Sequence, residues 1–164
     1  MQRVVALFVI AGPAVASADE AITERAQVEQ LPRHTVYAEA FGKAGPYGLG
    51  YELGITRKLA LGVAASYAVV RDQQLTTVAP YVHADLIRGR RHSLYGDFGL
   101  IVVHSRIPSP VPEWDGMSDT GAGGQATLGW EWRPWRLIVR TSIGVAVGEG
   151  GLAPFLGLAI GARL

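Results

Sequence analysis

From residue 34 onward the chain sets apolar residues at every second position against Gly, Ala, Ser or a lone charge at the positions between. Eight such stretches follow one another, separated by turn residues. Period 2 belongs to the β-strand, whose successive side chains point to opposite faces. Charges here share a face with glycine, and the opposite, larger face is apolar. That arrangement suits a barrel with lipid outside and packed polar groups inside, since a closed barrel is the β architecture that leaves no backbone edge unsatisfied in a bilayer.

The expected strands can be placed one by one. The first, 34–43, puts Val36, Ala38 and Ala40 outside and Tyr37, Glu39 and Phe41 inside, with Gly45, Pro46, Tyr47 and Gly48 forming the turn. The second points Leu49, Tyr51, Leu53 and Ile55 out and Gly50, Glu52 and Gly54 in. The third carries Leu59, Leu61, Val63, Tyr67 and Val69 on an uncharged outer face. In the fourth, Thr77, Tyr81, His83 and Asp85 point in, while Pro80 falls on the outer face, an awkward place because proline cannot complete a ladder.

The fifth strand, from His92, turns Ser93, Tyr95 and Asp97 inward, and a long loop follows over 106–120. The sixth turns Gln125, Thr127, Gly129 and Glu131 inward and reverses through Arg133, Pro134, Trp135 and Arg136. The last two point Arg140, Ser142 and Gly144, then Phe155, Gly157 and Arg163, into the lumen. The expected fold is therefore all-β: an eight-stranded, antiparallel, up-and-down transmembrane β-barrel with a filled lumen, over 34–164.

Arg3, the apolar run 4–15 and the small residues Ala16 and Ala18 read as an export signal over 1–18, followed by a polar periplasmic lead-in over 19–33. The apolar run is shorter than the roughly 20 residues a membrane helix needs. Twenty-one glycines favour tightly curved strands over helices. A formal charge of +1 gives no electrostatic case for nucleic acid, and the absence of Cys removes disulfides and thiolate metal sites. No cofactor or metal is expected.

The connections supply an orientation. The second, fourth and sixth are short and basic, as periplasmic turns are, and the fifth is the long outer one. Trp130, Trp132 and Trp135 gather at the sixth, where an interfacial aromatic girdle belongs.

Glu39, Glu52, Asp85, Asp97 and Glu131 share the expected lumen with His83, Arg140 and, near the ends, Arg136 and Arg163. An eight-stranded barrel has room for side chains but not for an aqueous channel, so these charges must pair. Pairing across the sixth turn sets Arg140 opposite Gly129 with Glu131 two residues away, and a three-residue turn between the second and third strands sets Glu52 opposite Gly62, so that glycine leaves space for a long charged side chain. Arg140 is expected to bridge Glu131 and Glu52. Acids outnumber bases in this set, which gives a proton or cation pathway a motive beside the simpler reading of a sealed polar core.

Two other groups attract attention. In the long loop, Pro108, Pro110 and Pro112 stiffen a segment carrying Trp114 and Asp115, a candidate surface contact. His104, Ser105 and Glu113 have the residue types of a Ser/His/acid hydrolase, a weak signal because neighbours on a strand face opposite ways.

With these residues placed, the chain resembles the small outer-membrane β-barrel proteins of Gram-negative bacteria, in architecture like the OmpA and OmpX type. Residues 36–52 also look like the opening hairpin of an uncharacterised group of secreted barrels. The resemblance implies export to the outer membrane, insertion by the barrel-insertion machinery and outer-membrane lipid as the surrounding partner; it supplies no catalytic residues to carry over, and the oligomeric state stays open with a monomer favoured. One departure is the last residue, Leu164, where such barrels usually end on Phe or Trp. The function this implies is a non-enzymatic envelope-structural or surface-contact role. A soluble secreted barrel of the lipocalin or avidin kind is the alternative, and an outer-leaflet lipid-modifying hydrolase a more distant one.

Overall fold

The computed structural model describes residues 34–109 and 116–164. The expected signal segment, the lead-in, and Glu113, Trp114 and Asp115 lie outside the described residues. Those described form eight antiparallel strands: β1 (His34–Gly42), β2 (Gly45–Gly54), β3 (Leu59–Val70), β4 (Gln73–Arg88), β5 (His92–Ile107), β6 (Met117–Trp132), β7 (Leu137–Gly148) and β8 (Gly151–Arg163). Each pairs with the next, and β1 pairs with β8, so the sheet closes into an up-and-down barrel.

Closure comes with a stagger. Following the paired residues from Arg163 through Thr35, Glu52, Gly62, Tyr81, Gly99, Gln125 and Ala146 leads back to β8 at Ala153. The displacement of ~10 residues tilts the strands by roughly 35–45°, the tilt at which eight strands enclose side chains and little else.

The outer face is the apolar one. Leu49, Leu61, Tyr67, Phe98, Leu100, Leu128, Ile143, Leu156, Leu158 and Ile160 are all exposed, whereas Tyr37, Tyr81, Tyr95 and Ile138 are buried in the lumen. A lipocalin-like calyx needs the reverse, an apolar lumen beneath a polar surface. Trp130, Trp132 and Trp135 stay exposed at the β6–β7 turn, with the His92 ring stacked on Trp130 at 5.2 Å.

Four details depart from the sequence reading. Phe41 faces outward, because its φ of 55° reverses the alternation at the end of β1; a left-handed backbone at a bulky residue costs about 1–3 kcal/mol. The chain then turns at Lys43 and Ala44 instead of at 45–48, and Gly42, Lys43 and Ala44 tuck into the lumen. β5 and β6 pair out to Ile107 and Met117, so the long outer connection is shorter than the expected 106–120. Pro80 needs no sheet edge: the β4–β5 pairing passes from Val78 to Tyr81 without it, and the Pro80 carbonyl comes so close to Gly99 that a Cβ there would collide with it.

Gly62 and Gly129 do lie on the inner face, but an aromatic ring occupies the space each leaves. A Cβ on Gly62 would strike the Tyr81 ring, and one on Gly129 the Tyr95 ring and the Thr141 carbonyl. Gly121 has open space around it. Gly62→Ala is therefore expected to destabilise the barrel by about 1–3 kcal/mol through overpacking, with Gly121→Ala close to neutral, as read from urea unfolding midpoints of the two variants in phospholipid vesicles.

Candidate functional site: the lumen charge column

Strand walls aim most of the lumen charges at the barrel axis, Lys43 and Arg133 reach in from turns, and the column begins at the end carrying the short basic turns. Arg133, the first residue of the β6–β7 turn, continues the inward parity of Gln125, Thr127, Gly129 and Glu131. Its guanidinium donates to Glu131, Asp85 and the Ser93 hydroxyl. Arg163 donates to Glu131 Oε1 at 3.1 Å.

Arg140 holds the middle. Glu131 is its direct partner across β6–β7, a register two residues from the one the turn suggested, in which Gly129 stood opposite; Gly129 pairs instead with Ser142. The difference places Arg140 Nε against Glu131, while its two terminal nitrogens reach Glu52 across the lumen at 2.5 and 2.7 Å. A planar guanidinium fills such a position well because it meets one carboxylate in a fork and has a further donor left for another.

Glu52 also accepts from the Tyr81 hydroxyl at 2.7 Å, and Tyr81 shares a 2.6 Å hydrogen bond with Tyr37. The Arg140 guanidinium lies 5.4 Å from the centroids of both the Tyr37 and Tyr95 rings, so its faces are covered by π-systems while its edges are bonded.

Further outward, His83 Nδ1 donates to Asp97 Oδ1 at 2.7 Å, with Asp85 3.7 Å from the other ring nitrogen. Asp97 accepts from Thr127 at 3.2 Å and from Lys43 Nζ at 2.9 Å. Lys43 arrives from the β1–β2 turn, lies over the Tyr81 ring at 4.6 Å and sits 3.9 Å from Glu39. Glu39 accepts the Ala44 backbone N–H at 2.8 Å, and the Ser66 hydroxyl donates to the Ala44 carbonyl at 2.5 Å, so the tucked turn is fastened on both sides.

The column therefore holds Glu39, Glu52, Asp85, Asp97 and Glu131 against Lys43, Arg133, Arg140 and Arg163, with His83 between two of the aspartates. The sequence reading left Lys43 and Arg133 out of the lumen set: Lys43 closed the first expected strand, and Arg133 was assigned to a turn. Parity alone would have found Arg133. Lys43 also shares the parity of Tyr37 and Glu39, but it reaches the lumen through the inward bend of the turn and not through a continued alternation. Arg136, placed near the lumen end by the sequence reading, is exposed in the turn.

The other candidates do not converge. His104 is exposed and 2.8 Å from the Thr120 hydroxyl, whereas Ser105 is half-buried and accepts from Gln73 at 2.6 Å. They stand on opposite faces of one regular strand, so the imidazole cannot take a proton from Ser105. Among the described residues no cluster of His, Asp or Glu has the geometry to hold a metal ion.

A closed eight-stranded barrel with a lipid-type outer belt and an ion-paired lumen is the build of a small transmembrane β-barrel. It is similar to the N-terminal β-barrel domain of Pseudomonas aeruginosa OprF, with a TM-score of 0.63 at 15% identity, covering 82% of this chain and 100% of that domain. It is also similar to Ail, the attachment invasion locus protein of Yersinia pestis, with a TM-score of 0.54 at 11% identity over 80% of this chain and 93% of that one. At these identities the likeness is one of fold. No family model and no curated protein matches the sequence.

Removing one partner from a buried pair leaves the other charge uncompensated, at about 3–5 kcal/mol. Arg140→Met should lower the unfolding free energy by about that much. Adding Glu52→Gln to it should recover a good part of the loss, because Glu52 is the carboxylate left facing the vacated position, whereas Glu131 keeps Arg133 and Arg163. Denaturant titrations of the single and double variants in the same vesicles measure both.

Proposed function

We propose that this chain is an outer-membrane protein with an envelope-structural or surface-contact role and no catalytic one, exported by its N-terminal segment and inserted by the barrel-insertion machinery. The observation that carries the reading is the inversion of faces: exposed leucines, valines and aromatics form a belt around a lumen of paired charges. A barrel so built contributes a rigid wall in lipid and presents its outer connections to the medium. The segment bearing Trp114 and Asp115, which lies between β5 and β6 in the sequence, is the contact surface this reading assigns.

The filled lumen argues against an ion pathway. Arg140 spans it between Glu52 and Glu131, held by both, and the Tyr37, Tyr81 and Tyr95 rings occupy the space around the guanidinium. The separation of His104 and Ser105 leaves a hydrolase without its relay.

Fractionation of expressing cells tests the core of this reading. The protein should sediment with the outer membrane, require detergent for extraction and migrate faster on gels when unheated than when boiled. Recovery in the soluble periplasmic fraction would overturn it. Purified protein in planar bilayers should show no steady conductance, and outer-leaflet lipid should be chemically identical with and without expression of the chain. A lipid change abolished by Ser105→Ala would restore the enzyme.

A further inference from the structure

One stretch of the barrel wall is incomplete. The β1–β8 ladder ends at Ala40 and Leu158, yet β8 continues outward, paired with β7, as far as Gly151. On the other flank the β2–β3 ladder ends at Leu49 and Ala65, while β3 continues against β4 to Val70. Between these two edges stands the shortest hairpin of the barrel, and its tip bends into the lumen. The outer end of the wall is thus notched where β1 and β2 stop early.

The notch opens beside β8 into an apolar cleft of about 1060 Å³. Phe41 and Pro46 form its hairpin side, and Ile143, Leu156 and Leu158 the opposite side. Its lining also includes Phe155 and Gly157, which have inward parity, so the cleft cuts into the plane of the wall and does not merely lie over it. The Phe155 ring crosses the inner face at Gly144 and Thr127, providing an apolar floor.

We propose that this cleft is a binding site for the acyl chain of a membrane lipid, entering sideways from the outer leaflet to lie against Phe155. This rests on the transmembrane reading above and adds to it a specific seat. The occupant follows from where the cleft lies. Its outward-facing residues belong to the lipid belt, which continues past it along β7 and β8 through Val145, Val147 and Leu152, all exposed. What meets the cleft is therefore hydrocarbon. The charged groups of the tucked turn face away from it, Lys43 being engaged with Asp97 in the lumen, so the lining suits a chain and not a headgroup. Phe41 contributes because its backbone has turned it outward; with ordinary strand geometry its ring would point into the lumen and the hairpin side of the cleft would be lost.

The test is nuclear Overhauser spectroscopy of the full chain, deuterated except at phenylalanine, in nanodiscs of phosphatidylcholine with protonated chains. Phe98, exposed on the belt along β5, reports whether the barrel is embedded at all. The expected result is cross-relaxation from chain methylenes to the Phe155 ring at no less than about a third of that to Phe98. Leu156→Trp, which narrows the cleft from outside, should reduce the Phe155 signal at least two-fold and leave Phe98 unchanged. Contact at Phe98 with none at Phe155 overturns the cleft and spares the membrane reading, as does cross-relaxation of Phe155 with water or with a second, differently labelled copy of the chain. Absence of lipid contact at both rings removes both claims.

Discussion

The ladder between β1 and β8 is the interaction on which the other features depend. In hydrocarbon no water is present to satisfy an open strand edge, so the first and last strands must find each other for any of the eight to be stable there. Joining them with a stagger of ~10 residues sets the bore of the barrel, and that bore admits side chains but no column of water. From this point the lumen has few choices. Each inward residue must be small enough to make way or polar enough to bond its neighbours, and each inward charge must meet an opposite one.

The lumen uses both solutions. Glycines and alanines line the inner wall where tyrosine rings need room, as at Gly62 beneath Tyr81 and Gly129 beneath Tyr95. Tyr81 then carries its hydroxyl to Glu52, and the rings of Tyr37, Tyr81 and Tyr95 turn their faces to the cations, so one residue type supplies both packing and solvation. Arg140 illustrates the outcome: Glu52 and Glu131 bond its edges, and Tyr37 and Tyr95 cover its faces. A lysine in its place would offer no planar fork and no flat surface for the rings.

How much of this could be read from the sequence depended on the period of the signal. Face assignment was legible along nearly all eight strands, because a two-residue alternation sustained over many positions is hard to mistake. Turns were harder. Phe41 leaves the alternation through a positive φ that a phenylalanine does not advertise, and everything just beyond it, Lys43 above all, shifts with it. Register was also beyond reach across the Arg133 turn, where a change of two residues keeps every side chain on its own face and alters only who stands opposite whom. That is why Gly129 and Glu131 could exchange places against Arg140 with no sign in the pattern. Space left by glycine was legible as space, but not what would enter it.

The same two irregularities, the turned-out Phe41 and the early stop of β1 and β2, produce opposite effects on the two faces of the wall. Inside, the bend brings Lys43 to Asp97 and Glu39 and gives two lumen carboxylates a cation that the strands alone do not supply. Outside, it interrupts the belt between β8 and the first hairpin and opens the cleft walled by Phe41 and Leu158. Strengthening the hairpin by extending β1 and β2 would seal the wall but carry Lys43 out of reach of its carboxylates, since the turn would then lie above the rim. The notch and the pairing of Lys43 in the lumen are therefore consequences of one local geometry, and a change to either would be felt by the other.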